Sequence, residues 1–218
     1  PDSYNRYSIN YSTDTEIKSW LKVRSKALYT RTNLETPFNF NTASYDALYY
    51  LYRWPTIMPY GTYEGEPFRN SVTETAAANM NSDIKDYMRF SVGATFVLGI
   101  PDLTLDVDYT YNLDNQNITQ RGGTVGGWDF WSGSMSLVDN WAATARNKVD
   151  KYQYNRNYHA GNAVLRYKHT WNDAHSLNVF GGMNIEYKEV DYVNAEKRDL
   201  LDQTKPEISL AIGDNFIY

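Results

Sequence analysis

The hydrophobic positions of this chain recur every second residue. From Leu103 the sequence reads LTLDVDYTYNL, with Leu103, Leu105, Val107, Tyr109, Tyr111 and Leu113 on one side and Thr104, Asp106, Asp108, Thr110 and Asn112 on the other. A helix would scatter those acids around its circumference. A strand sends successive side chains to opposite faces, so period two reads as β. Met88, Phe90, Val92, Ala94, Phe96 and Leu98 repeat the pattern against Tyr87, Arg89, Ser91, Gly93 and Thr95. Gly99-Ile100-Pro101-Asp102 separates the two runs, and Gly and Pro there predict a tight hairpin.

Two further hairpins follow this plan. In the first, Tyr7, Ile9 and Tyr11 lead to a turn expected at Thr13–Glu16; the return strand sets Leu21, Val23, Ala27 and Tyr29 against Lys22, Arg24 and Lys26. In the last, Ala163, Leu165 and Tyr167 rise to a turn at Asn172–Ala174. Leu177, Val179, Gly181, Met183, Ile185 and Tyr187 then return, opposite Asn178, Asn184, Glu186 and Lys188. The expected architecture is all-β: an antiparallel meander of about six long strands, with hairpins at about 3–31, 84–113 and 156–190 of a single domain over 1–218. Long loops are expected at about 32–81, 114–153 and 191–218, with short helices near 43–53 and 140–148. The alternation runs for about 11 to 15 residues per strand, against a usual five or six in soluble sheets.

Short turns at one end and long connections at the other describe a membrane barrel better than a sandwich. Trp20 and Trp171 flank short turns, and Tyr11, Tyr29, Tyr111 and Tyr187 stand near strand ends, as interfacial girdles require. The expectation is a large transmembrane barrel of the outer membrane, apolar face to lipid and polar face to the lumen. Lys22, Arg24, Lys26, Asp106, Asp108 and Glu186 are then the lumen-facing candidates. A soluble β-sandwich that binds carbohydrate, and a non-transporting structural barrel, share the same strands and stay open.

Composition sharpens this in three ways. The mean hydropathy is −0.63, and no apolar run approaches the roughly 20 residues of a membrane helix; alternating barrel strands average to such a value. The net charge of −5 argues against nucleic acid as a partner. Cysteine is absent, which removes disulfides, thiolate metal sites and a cysteine nucleophile. His159 and His169 share a strand face but lie about 33 Å apart, too far for joint ligation, so no metal and no cofactor is expected. Asp106 and Asp108 could pass for a glycosidase pair, but a polar lumen wall explains them better, and the chain is expected not to be an enzyme. Tyr occurs 20 times. In the loops, Trp128, Phe130 and Trp131 follow two glycine pairs and are the candidates for substrate contact, by stacking on a sugar ring or otherwise; the rival reading packs them on neighbouring loops.

Three stretches in order, YNRYSINYSTDTEIKSWLKV, WPTIMPYGTYEG and NYHAGNAVLRYKHTWNDAHSLNVFGGMNIEY followed by NAEKRDL, resemble the SusC/RagA class of TonB-dependent outer-membrane transporters of the Bacteroidota. The resemblance implies a 22-stranded barrel with an N-terminal plug, of which this chain holds roughly a quarter. It also implies a SusD-like lid lipoprotein, TonB as the energy relay, outer-membrane lipid as surroundings, and an oligosaccharide or peptide as cargo. No signal peptide, TonB box or plug is read in these residues.

Overall fold

The computed structural model describes residues 3–37, 59–70, 73, 80–122, 126–130, 133–138, 147–172, 174–202 and 204–217. Six long strands carry the fold: β1 (Ser3–Lys18), β2 (Leu21–Pro37), β5 (Met80–Val97), β6 (Leu103–Gly122), β9 (Lys148–Trp171) and β10 (His175–Arg198). Two short pairs sit between them, β3 (Thr62–Tyr63) with β4 (Glu66–Pro67) and β7 (Gly127–Asp129) with β8 (Ser136–Val138). After a 3₁₀ turn at Ile208–Leu210, β11 (Asn215–Ile217) pairs with β10. The sheet order β1-β2-β5-β6-β9-β10-β11 is a meander with every neighbour antiparallel.

Strand pairing outruns the alternation. β6 continues to Gly122, β9 starts at Lys148 and β10 reaches Arg198, all inside segments whose polarity reads as loop. The first turn also moves. Thr13–Glu16 is not a turn; β1 runs on to Lys18 and only Ser19 and Trp20 connect it to β2. Asp14 stands opposite Arg24 and Glu16 opposite Lys22, with Lys22 Nζ 3.3 Å from Glu16. Cross-strand charge pairs hold as strand a segment whose composition suggests a turn. The expected helix at 43–53 lies outside the described residues, as does 140–146; Lys148, at the end of the second expected helix, opens β9.

Cross-strand partners share a face, so the register fixes both surfaces. The row Leu21–Phe96–Leu105–Leu165 opens one face, and the alternating apolar residues named above fill it up to the row Tyr29–Met88–Leu113. Beyond that edge the same face turns polar at Arg31, Asp86, Asn115, Asn155 and Asp191. The apolar band is bare: Phe90, Met183, Ile185 and Tyr187 are 43 to 61% exposed. The buried hydrophobic residues among those described are Val149, Leu200 and Ala211, packed where the final segment folds onto the outer end of β9. Among the described residues no second sheet packs over the apolar face, as a sandwich core requires.

The hairpin ends are staggered. Leu21 begins β2, yet its row partner Leu165 lies six residues short of the end of β9 at Trp171. Six residues rise about 20 Å, and the first and third hairpins lie four strand spacings, about 19 Å, apart. Turns at one level then require strands tilted by about 45°, close to the tilt that closes a barrel. Leu103 to Leu113 spans about 33 Å along β6, or about 23 Å along the barrel axis at that tilt, matching the roughly 25 Å lipid-facing band of outer-membrane barrels.

Candidate functional site: the charged face of the sheet

The face opposite the apolar band carries the charge. Lys22, Arg24 and Lys26 alternate along β2, Asp106 and Asp108 stand two strands away on β6, and Glu186 lies on β10, all on this one side. Leu28, Val164 and Phe180 are apolar exceptions on it.

Near the short turns the charges are balanced. Arg24 Nη2 reaches Asp108 Oδ1 at 3.2 Å and Arg24 Nη1 donates to Thr95 at 3.3 Å. Thr95 donates to Asp106 at 2.6 Å, and Arg166 Nη1 lies 3.7 Å from the same carboxylate. The Arg24–Asp108 bridge crosses over β5 at Gly93, whose row partners are these two residues. A Cβ on Gly93 would run into the Asp108 carboxylate and stand 3.2 Å from Arg24 Nη2, so glycine is what lets the ion pair span an intervening strand. Recesses of about 430 and 240 Å³ flank the bridge; Arg24 lines both. Both carboxylates, Asp106 and Asp108, are engaged in these contacts.

Further toward the long connections the same face becomes aromatic and basic. Tyr152, Tyr154, Arg156 and Tyr158 alternate along β9, and Tyr192 of β10 lies against Tyr154 with ring centroids 4.7 Å apart. The Arg156 guanidinium sits 4.8 Å over the Tyr154 ring and that of Arg89 5.8 Å from Tyr87. Asp114 is shared by Lys85 at 3.1 Å and Arg156 at 3.5 Å. Burial, then the charge of Asp150, pushes the Tyr152 phenol up to about 12, leaving it a neutral donor. In the sequence this stripe stands as plain alternation in KYQYNRNYHAG, inside a segment whose polarity reads as loop.

The loop aromatics are brought together with each other. Trp128 Nε1 donates to the Tyr63 carbonyl at 2.7 Å and its ring meets Tyr63 edge-on at 5.4 Å. Phe130 lies 5.9 Å from Phe68, which pairs with Trp128 in a backbone bridge. Arg69 and Asp129 form an ion pair at 3.1 Å. Asn70, 1% exposed, donates to the carbonyls of Pro59 and Phe68 and accepts from Thr73 N–H. The β3–β4 turn that presents Tyr63 uses Glu64 and Gly65 at φ 52° and 87°, the primed geometry of two-residue hairpins. Two long connections are thus docked through Trp128 and Phe130. Trp131 lies outside the described residues.

On the apolar face, Trp20 stacks on Phe96 at 6.5 Å and Trp171 packs edge-on against His169 at 4.5 Å, both beside short turns. His169 Nδ1 lies 2.5 Å from Asp102. His159 is 2.8 Å from Tyr109 Oη and its ring lies tilted against Tyr111 at 4.8 Å, level with Tyr187. The three histidines do not converge, and no group of three or more His, Asp or Glu gathers for a metal among the described residues.

No protein-family model and no curated protein matches the chain. Solved structures do. The RagAB peptide importer in its open-open state aligns over 100% of this chain with a TM-score of 0.66 and 14% identity. The closed-closed state aligns over 100% with 0.63 and 16%. The chain spans about a quarter of those chains, 24% and 25% of their length. At this identity the likeness establishes the fold, and it agrees with the SusC/RagA resemblance read from the sequence.

Proposed function

We propose that these residues form part of the wall of an outer-membrane barrel that actively imports peptides, drawing on TonB and closed from outside by a lid lipoprotein. The observation that carries this reading is the staggered single-layer sheet, with a bare apolar band about 23 Å tall on one face and ion-paired polar rows on the other. Lipid covers the first face and the lumen wets the second; the short turns face the periplasm and the long connections face outward. Lys22, Arg24, Lys26, Asp106, Asp108 and Glu186 then line the lumen, and the docked pair of connections shapes the outer mouth. Nothing in this wall performs covalent chemistry. The RagAB likeness favours peptides over glycans as cargo. Trp128 and Phe130 spend part of their ring surface on loop packing, which leaves less for sugar stacking.

The test is uptake. Cells carrying the intact gene should accumulate labelled short peptides, and deletion of the gene or of TonB should abolish accumulation. Uptake of oligosaccharides but not peptides would transfer the reading to glycans. Uptake unaffected by loss of TonB would leave only a passive barrel.

A further inference from the structure

The charge on the polar face is segregated along the barrel axis. Nearest the short turns the numbers are equal: Lys22, Arg24, Arg166 and Lys168 stand against Asp14, Glu16, Asp106 and Asp108, and the first three cations are in ion-paired contact. The four rows from Lys26 to Thr32 on β2 differ. They hold six cations, Arg6, Lys26, Lys85, Arg89, Arg156 and Lys188. Against these stand two carboxylates, Asp114 and Glu186. Asp114 is already taken by Lys85 and Arg156, which leaves Glu186, in the innermost of these rows, as the other acid. Arg6, Lys26 and Lys188 are exposed and make no ion pair among the described residues. Among the described residues, the Arg89 side chain donates to the amide oxygen of Asn112, at 3.0 Å, and to no carboxylate. The next acid outward, Asp83, accepts from Gln116 at 2.9 and 3.1 Å.

We infer that this belt is a binding surface for acidic peptides, recognising their carboxylates. The inference rests on the importer reading above and names the substrate class of the same lumen. Like charges spaced one or two residues apart on a sheet repel unless something compensates them, and the wall supplies too few acids. An extended peptide laid along the lumen repeats its side chains at a rise of about 3.3 Å per residue, like the wall strands. Alternate carboxylates can therefore meet successive cationic rows. Tyr87, Tyr154, Tyr158 and Tyr192 stand among the cations, with phenols to bond the peptide backbone and ring faces that already hold two guanidinium groups. The belt lies at the long-connection edge of the apolar band, where cargo arriving from outside is met first. Guanidinium–carboxylate pairing across such a partly desolvated surface is among the stronger polar contacts available.

The experiment uses the full-length protein purified in detergent and three probes: a fluorescent peptide of alternating alanine and aspartate, its alanine–asparagine counterpart, and a polygalacturonate oligomer. Binding is measured by anisotropy for wild type and for R89Q/K188Q, which removes two cations that contact no carboxylate among the described residues. Wild type should bind the aspartate peptide at least about tenfold more tightly than the asparagine peptide. The double variant should lose about tenfold for the aspartate peptide and little for the other. Equal affinity of wild type for the two peptides overturns the acidic preference and leaves the importer reading standing. Binding of neither peptide overturns both. Binding of the polygalacturonate alone also overturns this inference, since the anion recognised would be a glycan. A variant that loses both peptides equally points to damaged packing and contradicts a role for these two cations; K26Q, at an exposed site without an ion-pair partner, checks that result independently.

Discussion

Val107 and Val164 provide a matched test of which face meets lipid. Val164 is the partner of Asp106 on the neighbouring strand, so the two valines lie one residue apart along the sheet and on opposite faces. Val107 is four residues from Leu103, about 13 Å along the strand and about 9 Å into a band about 23 Å tall at the 45° tilt, close to the midplane. Its row partners are Ala94 and Ala163, so an arginine there meets no steric obstacle and must stand in hydrocarbon. The expected cost of Val107→Arg is about 2–4 kcal/mol, against about 0–1 kcal/mol for Leu113→Arg at the band edge. Val164→Arg enters a wet, charged surface beside Asp106 and should cost under about 1 kcal/mol. Urea unfolding of the full-length protein in lipid vesicles, followed by tryptophan fluorescence, reads all three. The reasoning is refuted if Val164→Arg costs as much as Val107→Arg, or if the cost on the apolar face does not fall toward Leu113.

Other expectations follow from particular contacts. Gly93→Ala should separate Arg24 from Asp108 without unfolding the sheet: the lost pair, about 40% exposed at each end, contributes at most about 1 kcal/mol, and alanine restores about 0.4–1 kcal/mol through the unfolded chain. A double-mutant cycle between R24Q and D108N should show coupling in wild type and none in the alanine background. Asn70→Ala takes the amide donor from the Pro59 carbonyl and the acceptor from Thr73 N–H, while the Phe68 carbonyl keeps the Thr73 hydroxyl; at about 1–3 kcal/mol this should open the docked connections to limited proteolysis while the strands stay resistant. Asp150, buried in the outer end of β9, is raised to about 6, chiefly by desolvation and against the pull of Lys148. A carboxyl whose folded pKa is raised favours folding while protonated. The packing of residues 199–202 and 204–213 should therefore weaken as pH rises from about 4 to about 6, with no further change from this group above. Glu196 moves the other way: burial raises it, but hydrogen bonds from Lys148 and Arg198 outweigh this, so its contribution fades only at more acid pH. Hydrogen exchange of this segment, corrected for intrinsic rates, should lose its dependence between pH 4.5 and 6.5 in Asp150→Asn.

How much of this was legible in the sequence depended on what each face touches. Where one face of the sheet is apolar and the other polar, that opposition writes period two into the chain, as in Leu103–Leu113. Past the band both faces are polar, and the same strand reads Asn115-Gln116-Asn117 without alternation, so the outer end of β6, the start of β9 and the end of β10 looked like loop. The turn misplaced at Thr13–Glu16 shows the same limit, since its charges find partners only across the register with β2. The Arg24–Asp108 bridge needed that register too: the residues are 84 apart in sequence, and Gly93 explains itself only once it lies between them. The Tyr152–Tyr158 alternation was visible but carried no apolar counterpart to draw attention to it. Trp128 was conspicuous as a composition, yet its partner Tyr63 belongs to a different connection, and no local pattern joins the two.

The central claim is the orientation of the wall, and thiol labelling on intact cells tests it most directly. These residues contain no cysteine, so single cysteines at Glu64, in an exposed long connection, and at Ile100, 59% exposed in a short turn, report separately in a full-length background free of other reactive thiols. With a maleimide that cannot cross the outer membrane, Glu64→Cys should label at once and Ile100→Cys only after the membrane is permeabilised. Labelling of both positions on intact cells, or of Ile100→Cys alone, would contradict the account.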